Sequence, residues 1–170
     1  QTHSDDQTAG SRIDPLLARS WLLVNGAQQD RFAAAAHSRA DIVVLDIEDA
    51  VAPKDKTLAR DNVARWLADG NTDWVRVNGF GTQWWADDLE LLSGTSVGGV
   101  MLAMVESVDH VVETAKRLPG VPIVALVETA GASAAMGAFA AGIVLAESES
   151  IADVSSTFAP FRDVLSSLFF

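Results

Sequence analysis

Residues 43–52 read V-V-L-D-I-E-D-A-V-A. Val43, Val44 and Leu45 make an apolar run that passes directly into Asp46, Glu48 and Asp49. Such a run predicts a strand buried on both faces, as in a parallel sheet. In a βα-repeat protein the loops after the strands build the functional face, so carboxylates at a strand's exit are placed for chemistry. Capping of the next helix, with a start expected at Pro53, is an equally good reading of Glu48 and Asp49 from this stretch alone.

Five further apolar runs flank this one, at residues 21–24, 74–77, 100–102, 123–127 and 143–146. Their near-regular spacing predicts strand, loop, helix and loop repeated, the rhythm of a βα barrel. The segments between them carry helical stripes. Val108, Val111, Val112, Ala115 and Leu118 follow the i, i+3, i+4, i+7 rule, with Lys116 and Arg117 in the last turn and Pro119-Gly120 as a stop. Ala59, Val63, Trp66 and Leu67 make a second stripe before Gly70, and Trp85, Leu89 and Leu92 a third before Gly94. Residues 129–142, rich in alanine and glycine, predict a closely packed helix. Phe158, Phe161, Val164, Leu165 and Leu168 make an apolar face that another subunit is expected to cover.

The 170 residues suffice for one sizeable core, although a complete (β/α)8 barrel takes about 250. About six βα units are legible, so the expected fold is α/β of the TIM-barrel type, incomplete within this chain. The expected organisation is a flexible tail over residues 1–18 and a partial barrel over 19–170. The first twelve residues are polar and do not resemble a signal peptide, and no run reaches membrane-spanning length, so a cytoplasmic protein without a membrane partner is expected. There is no cysteine, which excludes disulfides, thiolate zinc sites and a cysteine nucleophile. His3, His37 and His110 lie far apart, without metal-ligand spacing, and structural roles are expected for His37 and His110.

The net charge of −11 argues against a nucleic-acid partner. It is uneven, however. Arg12, Arg19, Arg31, Arg39, Lys54, Lys56, Arg60 and Arg65 all fall in the first 65 positions, which suits either a phosphorylated ligand or a solvated helix face.

If the runs are strands, their exits gather the unusual polar residues on one face: Asn25, then Asp46, Glu48 and Asp49, then Arg76 and Asn78, then Glu106, then Glu128. Arg76, in W-V-R-V-N-G, is flanked by apolar residues and needs an anionic partner, either a substrate carboxylate or one of the barrel acids. Glu128 ends the apolar run of V-A-L-V-E-T-A, and a carboxylate there suits an oxygen-loving cation such as Mg²⁺. Glu106 reads as a helix-start residue favoured by the dipole.

Several segments together resemble the citrate lyase β-subunit-like branch of the HpcH/HpaI aldolase family: S-W-L-L-V-N-G, V-V-L-D-I-E-D-A-V-A-P-K-D-K, V-R-V-N-G-F-G-T, V-M-L-A-M-V-E-S and I-V-A-L-V-E-T-A, in that order. The resemblance implies a (β/α)8 barrel, Mg²⁺ dependence, and cleavage or formation of a carbon–carbon bond in a hydroxyacyl-CoA thioester, or hydrolysis of a related thioester. It carries substrate binding to Arg76, a metal-ligand role to Glu128, and places beside the metal and its waters to Glu48 and Asp49. It also places Arg31 and Lys56 near coenzyme A. An acyl-CoA and a keto acid are the implied small-molecule partners, in a homo-oligomer such as a trimer or hexamer.

The departures from the family pattern are Asn25 in the L-V-P-G position, Met104 before V-E-S, Gly131 where an arginine usually follows V-E-T-A, and Ser150 where a second metal aspartate is expected. Two other readings therefore remain beside the lyase: a non-catalytic barrel subunit that has lost metal chemistry, and a metal-dependent aldolase acting on free keto acids.

Overall fold

The computed structural model describes residues 13–127. The expected sixth strand at 143–146, the helix at 129–142, the apolar face beyond 158 and the first twelve residues of the tail lie outside this span. The described chain alternates strand and helix: β1 (Trp21–Asn25), α1 (Phe32–Ala36), β2 (Ile42–Asp46), α2 (Lys56–Ala68), β3 (Trp74–Val77), α3 (Trp85–Leu92), β4 (Gly99–Val105), α4 (Val108–Arg117) and β5 (Ile123–Val127). Short 3₁₀ turns at Gln29–Arg31 and Pro53–Asp55 lead into α1 and α2. The proline at 53 thus opens the turn that starts the helix, where its missing N–H costs nothing.

All five strands are parallel and pair in chain order, β1-β2-β3-β4-β5. Each strand is joined to its neighbour by a helix-bearing crossover, as in the wall of a (β/α)8 barrel. Every residue of β2 is buried, which accounts for its uninterrupted apolar run.

Side chains alternate across the sheet. One set, including Val43, Leu45, Ile47, Val75, Val77, Val100 and Leu102, packs against Ala59, Val63 and Leu67 of α2, Leu89 and Leu92 of α3 and Val111 of α4. The opposite face carries Ile42, Val44, Trp74, Met101 and Val124, with Trp21 edge-on to Trp74. Trp74 fills this layer so closely that a Cβ on Gly99 would lie 2.5 Å from its indole, so only glycine fits there. Each fully buried aliphatic side chain in these layers contributes about 1.5–3 kcal/mol.

Of the residues expected as a tail, Asp14, Leu16 and Leu17 form a turn closed by main-chain and Asp14 bonds, and Ala18 packs against the inner layer. Asp41 then accepts from the amides of Arg19 and Ser20 and from the Ser20 hydroxyl, fastening the start of β1 to that of β2. Among the described residues no helix is long and apolar enough to cross a membrane.

Candidate active site at the exits of β2 and β3

Counting in steps of two along the inner face leads from Ile42 and Val44 to Asp46, and from Trp74 to Arg76. The inner face is therefore apolar for most of its length and charged at its C-terminal end. Asp46 and Arg76 stand opposite each other in the β2–β3 register. Arg76 Nε donates to Asp46 Oδ1 at 2.9 Å and Nη2 to Oδ2 at 2.5 Å. Asp46 is 1% exposed, and a carboxylate buried so deeply is tolerated because the guanidinium and two amides, those of Glu48 at 2.9 Å and Ala50 at 3.2 Å, satisfy it.

The fork occupies one edge of the guanidinium. The remaining nitrogen, Nη1, lies 3.4 Å from Glu48 Oε2. Arg76 is thus held in a fixed plane by Asp46 while a second edge is directed toward Glu48. Burial opposes its charge, but the Asp46 bond and the surrounding carboxylates overcome this and push its pKa further up. Burial raises the pKa of the Glu48 carboxyl, against the pull of Arg76 and the Asp49 amide.

Of the two partners weighed for Arg76, the structure supplies barrel acids, Asp46 at Nε and Nη2 and Glu48 at Nη1. Sequence pattern had marked Asp46 as one of three clustered acids but could not single it out, because the strand register that faces it with Arg76 is not written in either motif.

Asp49 is exposed next to Glu48 and acts on Arg76 and Glu48 through its charge. Arg31 is exposed at the end of the 3₁₀ turn that follows β1, on the same side of the sheet as the other strand exits. Glu128, the expected metal ligand, and the segment ending in Ser150 lie outside the described residues. Among the described residues no group of three or more His, Asp or Glu side chains could hold a metal ion.

The loops that carry these groups are tied to each other. Asn25 accepts from the Ala27 amide and donates to the Ala50 carbonyl at 2.6 Å, while the Gly26 amide donates to the Asp46 carbonyl at 2.7 Å. A Cβ at Gly26 would stand 2.8 Å from that carbonyl oxygen and 2.9 Å from Ile47 Cγ2, so the β1 loop reaches the β2 exit only as glycine.

Lys56 does not meet the expectation that it faces coenzyme A. It is 5% exposed, and its ammonium donates inward to the carbonyls of Ile47 at 2.9 Å and Glu48 at 2.6 Å and to Asn78 Oδ1 at 2.8 Å. With three donors spent on the chain itself, none remains for a phosphate. A signal for this existed: Lys56 extends the buried stripe of Ala59, Val63 and Leu67 backward by one turn.

Asn78 in turn donates to Ile47 O and to Asp88 Oδ2 at 2.6 Å, and fully buried Asp88 accepts from Arg60 Nε at 2.8 Å. Burial pulls the Lys56 pKa down, partly offset by the charges of Asp88, Glu48 and Asp46.

At the neighbouring exit of β4 the strand is irregular and Met104 has φ +54°, a left-handed conformation uncommon for its side chain. Met104 and Phe80 are exposed apolar groups there, and Phe80 stacks on His110, whose Nδ1 accepts from the Glu106 amide at 3.4 Å. His110 thus packs beside Phe80 at this exit, and Glu106 precedes α4 as its sequence position suggested.

A family model described as HpcH/HpaI aldolase/citrate lyase matches residues 19–140. The "Citrate lyase subunit beta-like protein" of Mycobacterium tuberculosis H37Rv is 43% identical over 110 residues, 65% of this chain and 38% of that protein. A "(3S)-malyl-CoA thioesterase" of Cereibacter sphaeroides ATCC 17025 is 31% identical over 153 residues, 85% of this chain and 54% of its own length. Among solved structures, the citrate lyase β subunit of M. tuberculosis complexed with oxaloacetate and magnesium superposes with a TM-score of 0.56 at 42% identity, covering 65% of this chain and 47% of that one. The chain thus spans about half, or less, of the length of the relatives it matches. With the parallel strand order and the charged strand exits, the match over residues 19–140 makes this chain a member of the HpcH/HpaI aldolase/citrate lyase family.

Proposed function

We propose that the protein is a Mg²⁺-dependent carbon–carbon lyase of the citrate lyase β-subunit type, cleaving or forming a hydroxyacyl-CoA thioester through an enolate. The observation that carries the reading is the Arg76 guanidinium, held across the ladder by Asp46 with its Nη1 edge turned to Glu48 at 3.4 Å, where a substrate anion would share it. A planar, permanently charged donor fixed in advance is suited to a keto-acid carboxylate and to the negative charge that develops as the bond breaks. Glu128, with Glu48 and Asp49 alongside, would hold the ion, and hard carboxylate oxygens suit Mg²⁺. When bound, Mg²⁺ supplies Lewis-acid polarisation of the keto-acid carbonyl. Arg31, exposed after β1, would meet a phosphate of coenzyme A.

The relatives support this reading. One solved structure is protein CitE from M. tuberculosis in complex with magnesium, acetoacetate and coenzyme A, at 40% identity and a TM-score of 0.56. An L-malyl-CoA/β-methylmalyl-CoA lyase of Rhodobacter capsulatus is 41% identical over 87 residues. Hydrolysis of the thioester is the second reading, favoured by the malyl-CoA thioesterase relative that aligns over 85% of the chain. Cytoplasmic residence and a homo-oligomer belong to the same proposal, the latter tested by light scattering.

Calorimetric titration with Mg²⁺, alone and with glyoxylate and acetyl-CoA, tests the site, followed by product analysis on malyl-CoA. Acetyl-CoA and glyoxylate as products establish the lyase, whereas malate and free CoA establish the hydrolase. Arg76→Ala is expected to abolish either activity in a folded protein. A folded wild-type protein that binds neither metal nor keto acid would overturn both readings in favour of a non-catalytic barrel.

A further inference from the structure

We propose that Lys56 is a positioning residue for the reaction, acting through Glu48; the inference rests on the lyase reading of the Arg76 site. The geometry is specific. The Ile47 carbonyl belongs to the peptide plane before Glu48 and the Glu48 carbonyl to the plane after it, and the Lys56 ammonium holds both. The Glu48 amide, in the first of these planes, is held by Asp46 Oδ1. Two fixed planes fix φ and ψ of the residue between them, and therefore the direction in which its Cβ leaves the chain. The direction so fixed is the one that brings the Glu48 carboxylate to 3.4 Å from Arg76 Nη1.

Lys56 is itself held from behind. Asn78 Oδ1 accepts its third proton, Trp84 covers the ammonium at 5.0 Å, and Asp88 anchors Asn78 through both its side chain and its amide. Arg60 closes the series at Asp88. The chain of contacts therefore joins two helices, α2 and α3, to the exits of β2 and β3. Docking α2 alone would not require it, because an apolar side chain at the head of the stripe serves that purpose without burying a charge. What the ammonium adds is control over two consecutive carbonyls next to the reacting centre, the kind of supporting contact whose loss weakens a site without touching its ligand.

The test is a double-mutant cycle on the full-length protein, reading glyoxylate affinity by calorimetry at saturating Mg²⁺. Thermal unfolding is recorded in parallel, and all binding is measured at a temperature where every variant is folded. Lys56→Met, which keeps the stem and removes the ammonium, is expected to weaken glyoxylate binding about 10- to 100-fold. In a Glu48→Gln background the same substitution is expected to add less than about twofold, because the residue through which it acts is already gone.

A lowered melting temperature with unchanged affinity, or an equal loss in both backgrounds, would overturn the positioning role and leave the lyase reading intact. Failure of the wild-type protein to bind glyoxylate would overturn both. Should Lys56→Met not fold, Asp88→Asn loosens Asn78 from the far end of the series and takes its place in the cycle, with the same coupling to Glu48 expected.

Discussion

Asp46 and Arg76 are register partners in the β2–β3 ladder, and their side chains close a two-bond fork across it. Removing one member of a buried pair strands the other, which costs about 3–5 kcal/mol. Asp46→Ala also frees the Glu48 and Ala50 amides. Its unfolding free energy in urea is therefore expected to fall by that amount, and a loss below about 1 kcal/mol would mean that the pair does not organise this end of the sheet.

Glu48 makes a pH-dependent contribution of opposite sign to the usual carboxylate. Its folded pKa is raised above the ordinary 4.5 by burial, so between the two values the folded state holds more proton than the unfolded state. Stability from this group consequently falls as pH climbs through that window and stays reduced above it. Glu48→Gln is expected to match or exceed the wild type in stability at pH 7, with its advantage shrinking as pH is lowered through the window, while glyoxylate binding is impaired. Parallel urea melts from pH 4 to 7 measure the difference, and a variant less stable than the wild type at neutral pH contradicts the account.

Gly26→Ala would drive a methyl group against the Asp46 carbonyl and Ile47 Cγ2. Backbone cannot yield as a side-chain tip does, so the β1 loop must move away from the β2 exit. A loss of about 1–3 kcal/mol is expected, visible as a lower melting temperature, together with weaker ligand binding from a displaced Glu48 loop. Unchanged stability would show that the two loops are not in fixed contact.

Met104 adopts a left-handed conformation and is 43% exposed. Asparagine tolerates that region better, so Met104→Asn is expected to stabilise the protein by about 1 kcal/mol in denaturant melts. Destabilisation would show that the Met104 side chain contributes more packing than its exposure suggests.

Within the described residues the strands were legible because burial on both faces leaves apolar runs, and the helices α2 to α4 because burial on one face leaves a stripe. Arg76 was legible as a charge where charge is costly, and Asp46, Glu48 and Asp49 as carboxylates at a strand's exit. Their pairing was not, since it follows from a strand register that no local pattern records. Lys56 was misread for a related reason. The family resemblance alone put it near coenzyme A, and its three acceptors come from the β2 loop and the β3 exit, which are separate in sequence and adjacent only in space. Met104 stood out as a departure from the family pattern, but its backbone angle was not legible, because it arises where the pairing of β4 with β5 slips.

The sheet is laid down in the order in which the chain is synthesised, each strand docking beside its predecessor. Asp46 and Arg76 are 30 residues apart, and the groups behind them, Lys56, Asn78 and Asp88, all precede β4. Closing a loop of this length costs little more than closing one half as long. The hydrogen-bonding partners described for the charged centre thus all precede β4, so the ion pair can form while later strands are still inside the ribosome. Nascent chains stalled with α3 just clear of the exit tunnel are expected to resist protease across β2 and β3, and Asp46→Ala to abolish that resistance. A barrel wall of this kind would then complete its ion pair during translation and acquire the later strands around it.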